Sequence, residues 1–400
     1  MSNRRADILI VGGGLAGGLT ALAIRQAAPE LRIMLVEAGG HLGGNHRWSW
    51  FETDLEPAER NLLSQFPVRN WPDGYEVRFP TYRRSLSTPY YSLASVDFDQ
   101  TLRRNLPEDV ILCGRNVRHI DAAGVMLEDN EQITARSVID CRGITSVDSL
   151  HGGWQVFLGR HIETDRPHGL EKPLIMDATV SQHDGYRFVY VLPLSANEIF
   201  VEDTYYRDTP HLDTDALSER IDSYCKSRGW QGTMRDTETG ILPVITGGNF
   251  DQWQATMAID GVTCTGTRAG FLHPLTSYSL PWAARTALAL ALNVVHNVQP
   301  DGQELALTVQ NMARRHWHEC RFYRMLGTML FNAAKPECRY RVFERFYSLP
   351  DDLIERFYAG HSTLKDKIRI LAGRPPVPPL RAMLSLATPG SQMFSPGAMS

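Results

Sequence analysis

Four residues near the N-terminus have the types and spacing that hold a dinucleotide. Gly12, Gly14 and Gly17 form the pattern G-x-G-x-x-G. Such glycines permit a tight turn, the close approach of backbone N–H groups to a pyrophosphate, and close packing of a helix on a strand. Glu37 follows the last glycine by twenty positions, where a carboxylate suits the two hydroxyls of an adenosine ribose and would repel a 2′-phosphate. The pattern therefore predicts a dinucleotide site.

The surrounding sequence supplies the elements that such a site requires. The apolar run from Ala6 to Val11 is rich in β-formers and predicts a buried parallel strand. Leu15, Leu19 and Leu22 continue at helical spacing, so a helix N-terminus would present its partial positive charge to the phosphates. A second apolar run, RIMLVEA, predicts the next strand and ends beside the acid. The alternative is a glycine-rich turn in another α/β protein, but the order of these elements favours the dinucleotide site.

A pair of adjacent acids lies in a predicted β-hairpin near the middle of the chain. The β-rich runs YRFVYVL (residues 186–192) and IFVEDTYY (residues 199–206) are joined by a loop of hairpin length. Because side chains alternate along a strand, Glu202 and Asp203 point to opposite faces, and only one of them can enter a cavity on a given face. An acid inside so apolar a hairpin is costly unless it is paired or neutral. The alternative is a paired or solvated acid on an edge strand.

A second glycine-rich loop, GGHLGGNHRWSW (residues 39–50), follows the ribose-binding acid directly. Gly43 and Gly44 could pack against a cofactor backbone, whereas the alternative is a plain surface loop. The aromatic residues Trp48 and Trp50 at its end are predicted to belong to the core rather than to the site.

A third glycine-bearing segment spans residues 257–281. An apolar strand runs through Val262 to Gly266, and an apolar helix begins near Trp282. This order is typical of a late strand–turn–helix unit that closes over a flavin, with the helix N-terminus aimed at the isoalloxazine ring.

Composition and charge restrict the class of protein. The chain has 400 residues and a net charge of −4, which argues against nucleic acid as its main partner. Its six cysteines are scattered without a C-x-x-C pair, which predicts reduced thiols in a cytoplasm-like compartment. The first strand begins too early for a signal peptide, and no run of apolar residues is long enough to span a membrane. No residue spacing predicts a metal site.

The C-terminal region, from residue 304 to residue 371, is predicted to be helical. Residues 312–333 interleave four arginines with bulky apolar side chains, so a basic helix there could rest on an anionic bilayer or could pack on its own core. The motif Glu-Arg-Phe-Tyr occurs at residues 344–347 and again at residues 355–358, a spacing that could align the two copies on one helix face.

The chain resembles the bacterial lycopene β-cyclases along essentially its whole length. The specific motifs are GGNHRWS (residues 43–49), FVEDT (residues 200–204) and GTRAG (residues 266–270), followed by His273-Pro274 and YSLP (residues 278–281). Plant relatives have F-L-E-E-T where this chain has FVEDT. Flavin hydroxylases usually have Gly-Asp where this chain has Gly-Thr, a difference that counts against a hydroxylase.

The resemblance implies an α/β fold with α+β elements: a Rossmann-like flavoprotein with two dinucleotide-binding domains, of the glutathione-reductase and hydroxylase type. It implies an inserted β-rich substrate domain and a C-terminal helical region. The FAD-binding domain is expected in residues 1–50, 94–150 and 255–300, and the substrate domain in residues 51–93 and 151–254. Residues 301–385 would form the helical region with possible membrane contact, and residues 386–400 a tail.

The resemblance also implies an isomerase that requires FAD in its reduced form, with NAD(P)H as the reductant. It would close the ends of lycopene into β-ionone rings, giving γ-carotene and then β-carotene through a carbocation. Glu202 and Asp203 would be the catalytic acids, and the protein would lie in the cytoplasm, peripheral to the inner face of the cell membrane. The cofactor would be bound by Gly12, Gly14, Gly17, Glu37, Gly43, Gly44, Gly266, Arg268, Gly270 and His273.

Two other functions compete with this interpretation. The first is an FAD-dependent monooxygenase or prenyl reductase on a related scaffold, which would consume O₂ or stoichiometric NADPH. The second is a flavin-free lipid escort protein, which would purify without a yellow chromophore.

Overall fold

The computed structural model describes residues 4–183, 185–296, 301–372, 384, 387 and 390–393. Strands dominate the middle of the chain and helices its C-terminal part. The strands are β1 (Arg4–Val11), β2 (Ile33–Val36), β3 (Arg47–Phe51), β4 (Arg69–Trp71), β5 (Tyr75–Arg78), β6 (Arg83–Leu86), β7 (Tyr90–Ala94), β8 (Ile111–Leu112), β9 (Val117–Asp121), β10 (Gly124–Leu127), β11 (Gln132–Asp140), β12 (Leu150–Thr164), β13 (Leu174–Asp177), β14 (Tyr186–Pro193), β15 (Glu198–Arg207), β16 (Gly232–Gly248) and β17 (Val262–Cys264). The helices are α1 (Leu15–Ala27), α2 (Pro57–Leu63), α3 (Ser95–Asn105), α4 (Thr214–Ser227), α5 (Phe250–Met257), α6 (Leu280–His296), α7 (Gly302–Glu319), α8 (Arg321–Ala333), α9 (Tyr340–Phe346), α10 (Asp351–Tyr358) and α11 (Leu364–Leu371).

The first sheet carries the glycine pattern. Its order is β8-β2-β1-β11-β10-β9, with β17 beside β11. β1 runs parallel to β2 and β11, whereas β9, β10 and β11 form an antiparallel meander. β1 is apolar on both faces, and both faces are buried. Ile8 and Ile10 pack with the cluster that contains α1 and α6, while Leu9 and Val11 pack with the meander. This arrangement confirms the predicted Rossmann-like fold.

The second sheet is the inserted β-rich part, in the order β16-β12-β15-β14-β13-β5-β6. The predicted hairpin is confirmed as β14 and β15, which pair from Tyr186–Tyr206 to Pro193–Ile199. A small third sheet has the order β3-β7-β4. β3 pairs with β7, and the predicted domain boundary after residue 50 falls inside β3.

The segment 312–333 is helical as predicted, but it consists of two helices, because α7 ends at Glu319 and α8 begins at Arg321. Arg324 is buried: its guanidinium carbon lies 3.7 Å from the centre of the Trp317 ring, and its Nη1 donates to the Trp317 carbonyl at 2.6 Å. Arg314 is paired with Asp251 at 3.4 Å. The Arg324 and Arg314 side chains therefore form contacts with other residues of the chain.

The repeated Glu-Arg-Phe-Tyr motif brings two helices together. Its copies lie at the ends of α9 and α10 on either side of Pro350, so they do not share one helix face. The Tyr347 and Tyr358 hydroxyls are 2.5 Å apart, and the rings of Phe346 and Phe357 are 4.5 Å apart between centres. The repeat thus forms an aromatic contact between α9 and α10.

Most of the predicted tail, residues 386–400, lies outside the described residues. Within it, Gln392 forms a β-bridge with His151, and the Met393 N–H donates to the Leu150 carbonyl at 2.9 Å. Residues 390–393 therefore pack against the start of β12.

All six cysteines are free. Among the residues that the structure describes, no helix combines the length and the apolar composition needed to cross a membrane. In the same part of the chain, no group of three or more His, Cys, Asp or Glu side chains could hold a metal ion.

Candidate active site

A cavity of about 400 Å³ is bounded by the glycine turn of the first sheet and by one face of the second. Gly14 and Ala16 at the start of α1 form one part of its wall, together with Gly266 after β17. Most of the remaining wall is apolar or aromatic and comes from the strands of the second sheet. Members of that part include Phe157, Phe188, Tyr190, Phe200, Tyr206 and Leu242.

The three glycines of the pattern have different surroundings. Gly12 has a φ of +99°, and a Cβ there would lie 2.9 Å from the backbone of Cys141 and Arg142. A Cβ on Gly17 would lie 1.9 Å from the Gly12 carbonyl oxygen, so only glycine allows α1 to pack this closely. A Cβ on Gly14 would meet no protein atom within 4 Å, and Gly14 lines the cavity. The open space at Gly14 fits a pyrophosphate against the N-terminus of α1.

Glu37 lies directly after β2 and beside the same turn. Its carboxylate accepts hydrogen bonds from the Gly13 N–H at 2.6 Å and from the Gly39 N–H at 2.7 Å. This position fits the predicted contact with an adenosine ribose. The residues present are therefore compatible with FAD.

The other predicted cofactor residues divide into two groups. Gly43 and Gly266 line the cavity, with φ values of +79° and +67°. Gly44 does not line it, although its φ is also positive. Gly270 ends a short turn, where a Cβ would lie 3.0 Å from the Trp253 ring, and it also lies outside the cavity wall.

Arg268 has a structural position rather than the predicted place at the cofactor. Its Nε lies 3.2 Å from an Asp140 carboxylate oxygen, and its Nη1 donates to the Gly143 carbonyl at 3.3 Å. The side chain is buried and does not line the cavity. Arg268 therefore holds the turn after β17 against the end of β11.

His273 also lies behind the cavity wall, so the structure does not support its predicted contact with the flavin. It is fully buried and its ring packs against Tyr323 and Phe357, with centres 4.8 and 5.5 Å away. Its Nδ1 accepts from the Leu275 N–H at 3.3 Å. Burial lowers the pKa of His273 to about 3, so the ring is neutral at physiological pH.

Glu202 lines the cavity on β15. Its carboxyl oxygen accepts a hydrogen bond from the Thr204 hydroxyl at 2.5 Å. Burial, and then the negative charge of Glu238, raise the pKa of Glu202 to about 8. The cavity thus contains a carboxylic acid that is largely protonated at neutral pH.

Asp203 lies on the opposite face of the sheet, as strand alternation predicts, and it does not line the cavity. Its carboxylate accepts from Arg187 Nε at 2.7 Å, and both side chains are buried. Asp203, predicted to be catalytic, therefore forms an ion pair in the protein interior, on the face of the sheet away from the cavity.

The pairing of the strands brings Glu238, a residue that no sequence pattern indicates, into the cavity beside Glu202. Glu202 pairs with Tyr190 on β14 and with Gly159 on β12, and Gly159 pairs in turn with Glu238 on β16. Residues paired in this way share a face of the sheet, so a row of side chains enters the cavity together. Glu238 accepts from the Arg47 N–H at 3.2 Å. No sequence signal marks Glu238, because its partner strands are distant in the chain.

A chain of hydroxyl groups forms part of the same wall. Tyr190 donates to the Ser49 hydroxyl at 2.9 Å, and its oxygen lies 3.0 Å from that of Tyr90. Tyr90 is in turn 3.0 Å from the Tyr278 hydroxyl. These hydroxyl groups are therefore hydrogen-bonded to one another.

Trp48, predicted to belong to the core, also lines the cavity.

Comparison with known sequences and structures gives a consistent result. Residues 7–384 match the profile of the family described as Lycopene cyclase protein. The chain is 43% identical over 373 residues to the lycopene beta-cyclase of Pseudescherichia vulneris, covering 93% of this chain and 95% of that one. It is 42% identical over 385 residues to the lycopene beta-cyclase of Pantoea ananas, covering 96% and 98%.

Solved structures share the fold at low sequence identity. A geranylgeranyl bacteriochlorophyll reductase-like protein from Thermoplasma acidophilum has a TM-score of 0.60 at 14% identity, covering 94% of this chain and 98% of its own. The flavin-dependent brominase Bmp2 has a TM-score of 0.61 at 15% identity, covering 89% and 94%. These similarities show the fold of FAD-dependent enzymes.

Proposed function

Because this chain belongs to the lycopene cyclase family, we propose that it closes the acyclic ends of lycopene into β-ionone rings without net oxidation, giving γ-carotene and then β-carotene. One observation carries the proposal: Glu202, a partly buried residue whose carboxyl group has a raised pKa, lies in an aromatic cavity beside the dinucleotide turn. Protonating an alkene needs an acid that stays neutral until it reacts, and the surroundings of Glu202 supply one.

In the proposed mechanism, Glu202 donates its proton to a terminal double bond of the polyene. A new carbon–carbon bond then closes the ring and leaves a tertiary carbocation, from which the Glu202 carboxylate removes a proton. Substrate and product are therefore isomers. Apolar walls exclude the water that would trap the cation as an alcohol, and the aromatic faces of Tyr190 and Phe200 stabilise positive charge.

The cofactor in this proposal is FAD, bound with its pyrophosphate at Gly14 and its ribose at Glu37. Reduced FAD, renewed by NAD(P)H, supplies an electron-rich ring that stabilises positive charge in the cavity.

The proposal is tested by anaerobic incubation of the protein with FAD, dithionite and lycopene in liposomes, followed by pigment chromatography. We expect γ-carotene and β-carotene with no change in hydrogen count. In a parallel aerobic incubation with NADPH in place of dithionite, lycopene-dependent consumption of O₂ or of stoichiometric NADPH would instead indicate a monooxygenase or a reductase. Purified protein that releases no FAD on denaturation would indicate the escort protein.

The turn at Gly14 allows a test of cofactor binding that does not depend on activity. Gly14→Asp should fold normally, since Asp is a favoured N-cap residue and its side chain would meet no protein atom at Cβ. Its negative charge should repel the pyrophosphate and weaken FAD binding by about tenfold or more. FAD content and apo-protein Tm are measured, with Gly14→Asn as the uncharged control. Equal FAD affinity in Gly14→Asp and Gly14→Asn would contradict this placement.

The pKa of Glu202 predicts the pH dependence of the reaction. Because the acid acts in its protonated form, the single-turnover rate should be constant below the pKa of about 8 and fall above it. Glu238→Gln removes the neighbouring negative charge, which should lower the pKa of Glu202 and move the fall to lower pH. Rates measured from pH 6 to pH 9.5 check this. If the rate of Glu238→Gln falls at the same pH as that of the parent protein, the charge of Glu238 does not raise the pKa of Glu202.

We also propose peripheral contact with the cytoplasmic face of the cell membrane, through α11. Leu364 and Ile368 are 74% and 60% exposed and lie one turn apart on the same face. Lys365 and Lys367 flank this face, which suits a helix lying on an anionic bilayer. In this proposal, α11 rather than residues 312–333 contacts the bilayer.

The double variant Leu364→Gln/Ile368→Gln should reduce co-sedimentation with anionic liposomes, because it removes two exposed apolar side chains and keeps the charge. The matched control is Leu292→Gln/Val295→Gln on α6, where the side chains are 59% and 51% exposed. We expect the control to bind liposomes as the parent protein does. Loss of binding in the control but not in the α11 variant would assign the contact to α6.

A further inference from the structure

A second cavity lies among the C-terminal helices, and nothing in the family assignment gives it an occupant. It is lined by residues of α8, α9, α10 and α11 and has a volume of about 130 Å³. We propose that it binds the part of the linear polyene that is not reacting, while one end of the molecule lies beside Glu202. This inference rests on the proposed function, because only a long apolar substrate would need both cavities.

The chemistry of the wall fits a hydrocarbon. Leu326, Met329, Val342 and Phe346 present apolar side chains from α8 and α9. The one guanidinium in the wall, on Arg345, is directed at carbonyl groups and donates to those of Ile370, at 3.3 Å, and Ala372. A polar or charged ligand would therefore have almost no partner here, whereas a polyene would need none.

The two cavities meet at Thr276 and Tyr358, which line both of them. Tyr358 is held by the short hydrogen bond with Tyr347 that joins α9 and α10. A polyene extending from Glu202 into the helical region would have to pass these two side chains. Thr276 and Tyr358 thus form the boundary between the reacting and non-reacting parts of the substrate.

The wall of the second cavity includes the C-terminal end of α11. Ile370 and Leu371 line the cavity, and Leu371 is also 47% exposed. The hydrogen bonds from Arg345 fix the end of α11 at this point. The second cavity therefore borders the helix proposed to contact the bilayer, where a carotenoid is dissolved.

The sizes of the cavities also favour an extended substrate. A cavity of about 400 Å³ is within the range for a drug-sized ligand. A linear carotenoid is much longer than such a ligand, so most of it must lie outside the space beside Glu202. The second cavity shares the wall residues Thr276 and Tyr358 with that space and supplies apolar surface for part of the remainder.

The test compares two substrates in variants that fill the second cavity. Val342→Trp places a large ring in it, and the matched control is Val295→Trp, at an exposed position of α6. The substrates are lycopene and an acyclic polyene of about half its length with the same end group. We expect kcat/KM for lycopene to fall about tenfold or more in Val342→Trp and to stay within about twofold for the short polyene. Val295→Trp should leave both substrates unchanged.

An equal loss for both substrates, or no loss for either, would overturn the inference. Val342→Met makes the same comparison with a smaller side chain, and FAD content and Tm are measured for each variant to establish that it is folded. If the parent protein cyclises neither substrate, the proposed function fails. If the parent cyclises both and Val342→Met and Val342→Trp do not separate them, only the second cavity is excluded as the polyene site.

Discussion

Replacing Glu202 by Gln is expected to abolish cyclisation while leaving the protein folded and yellow. Gln keeps the size of the side chain and can still accept the hydrogen bond from the Thr204 hydroxyl. It cannot donate a proton to an alkene, so kcat should fall by about 10²–10⁴-fold, the usual contribution of a positioned acid–base group. The measurements are single-turnover cyclisation with reduced FAD, FAD content and Tm.

Glu198→Gln is the matched control, because Glu198 is on the same strand and does not line the cavity. It should cyclise lycopene at the parent rate. A Glu202→Gln variant that binds FAD and keeps near-parental activity would remove Glu202 from the mechanism and leave the cofactor as the source of the proton.

The neighbouring acid should give the opposite result. Asp203→Asn leaves the buried Arg187 guanidinium without its counter-charge, so the free energy of unfolding should fall by about 3–5 kcal/mol. Its kcat, measured on the folded fraction at low temperature, should stay within a few-fold of the parent value, because Asp203 faces away from the cavity. Denaturant unfolding and single-turnover kinetics together check both halves of this prediction.

A double variant isolates the contribution of the ion pair. In Asp203→Asn/Arg187→Leu no unpaired charge remains, and part of the lost stability should return. If Asp203→Asn were stable but inactive, the catalytic prediction for Asp203 would be restored and the side-chain placement described above would be wrong.

Local patterns were sufficient to predict the dinucleotide fold and the hairpin. The three glycines lie within one turn, so their spacing alone identified the backbone turn, the open position at Gly14 and the close packing at Gly17. Strand alternation likewise separated Glu202 from Asp203. Both signals depend only on residues near each other in the chain.

The remaining wall of the site depends on contacts between distant segments. Glu238 reaches the cavity only because β16 pairs with β12 and β12 pairs with β15, and no local pattern determines that register. The motifs predict that Arg268 and His273 contact the cofactor, whereas the Arg268 side chain contacts Asp140 and His273 is buried among aromatic rings. The end of α7 at Glu319 has no sequence signal either, because the apolar spacing continues across it.

The alignment of β15 with β12 determines which side chains of β15 face the cavity. In the observed alignment, Gly159 of β12 lies between Glu202 and Glu238. β15 pairs with β12 without a bulge from Arg207–Trp154 to Glu198–Glu163. A shift of β15 by a single residue would invert its faces, placing the shorter Asp203 inside the chamber and the longer Glu202 outside it. An insertion or deletion in β15 ahead of the two acids would therefore exchange their environments even though both residues remain in the sequence. The fidelity of this one strand pairing during folding therefore determines which of the two carboxyl groups faces the cavity.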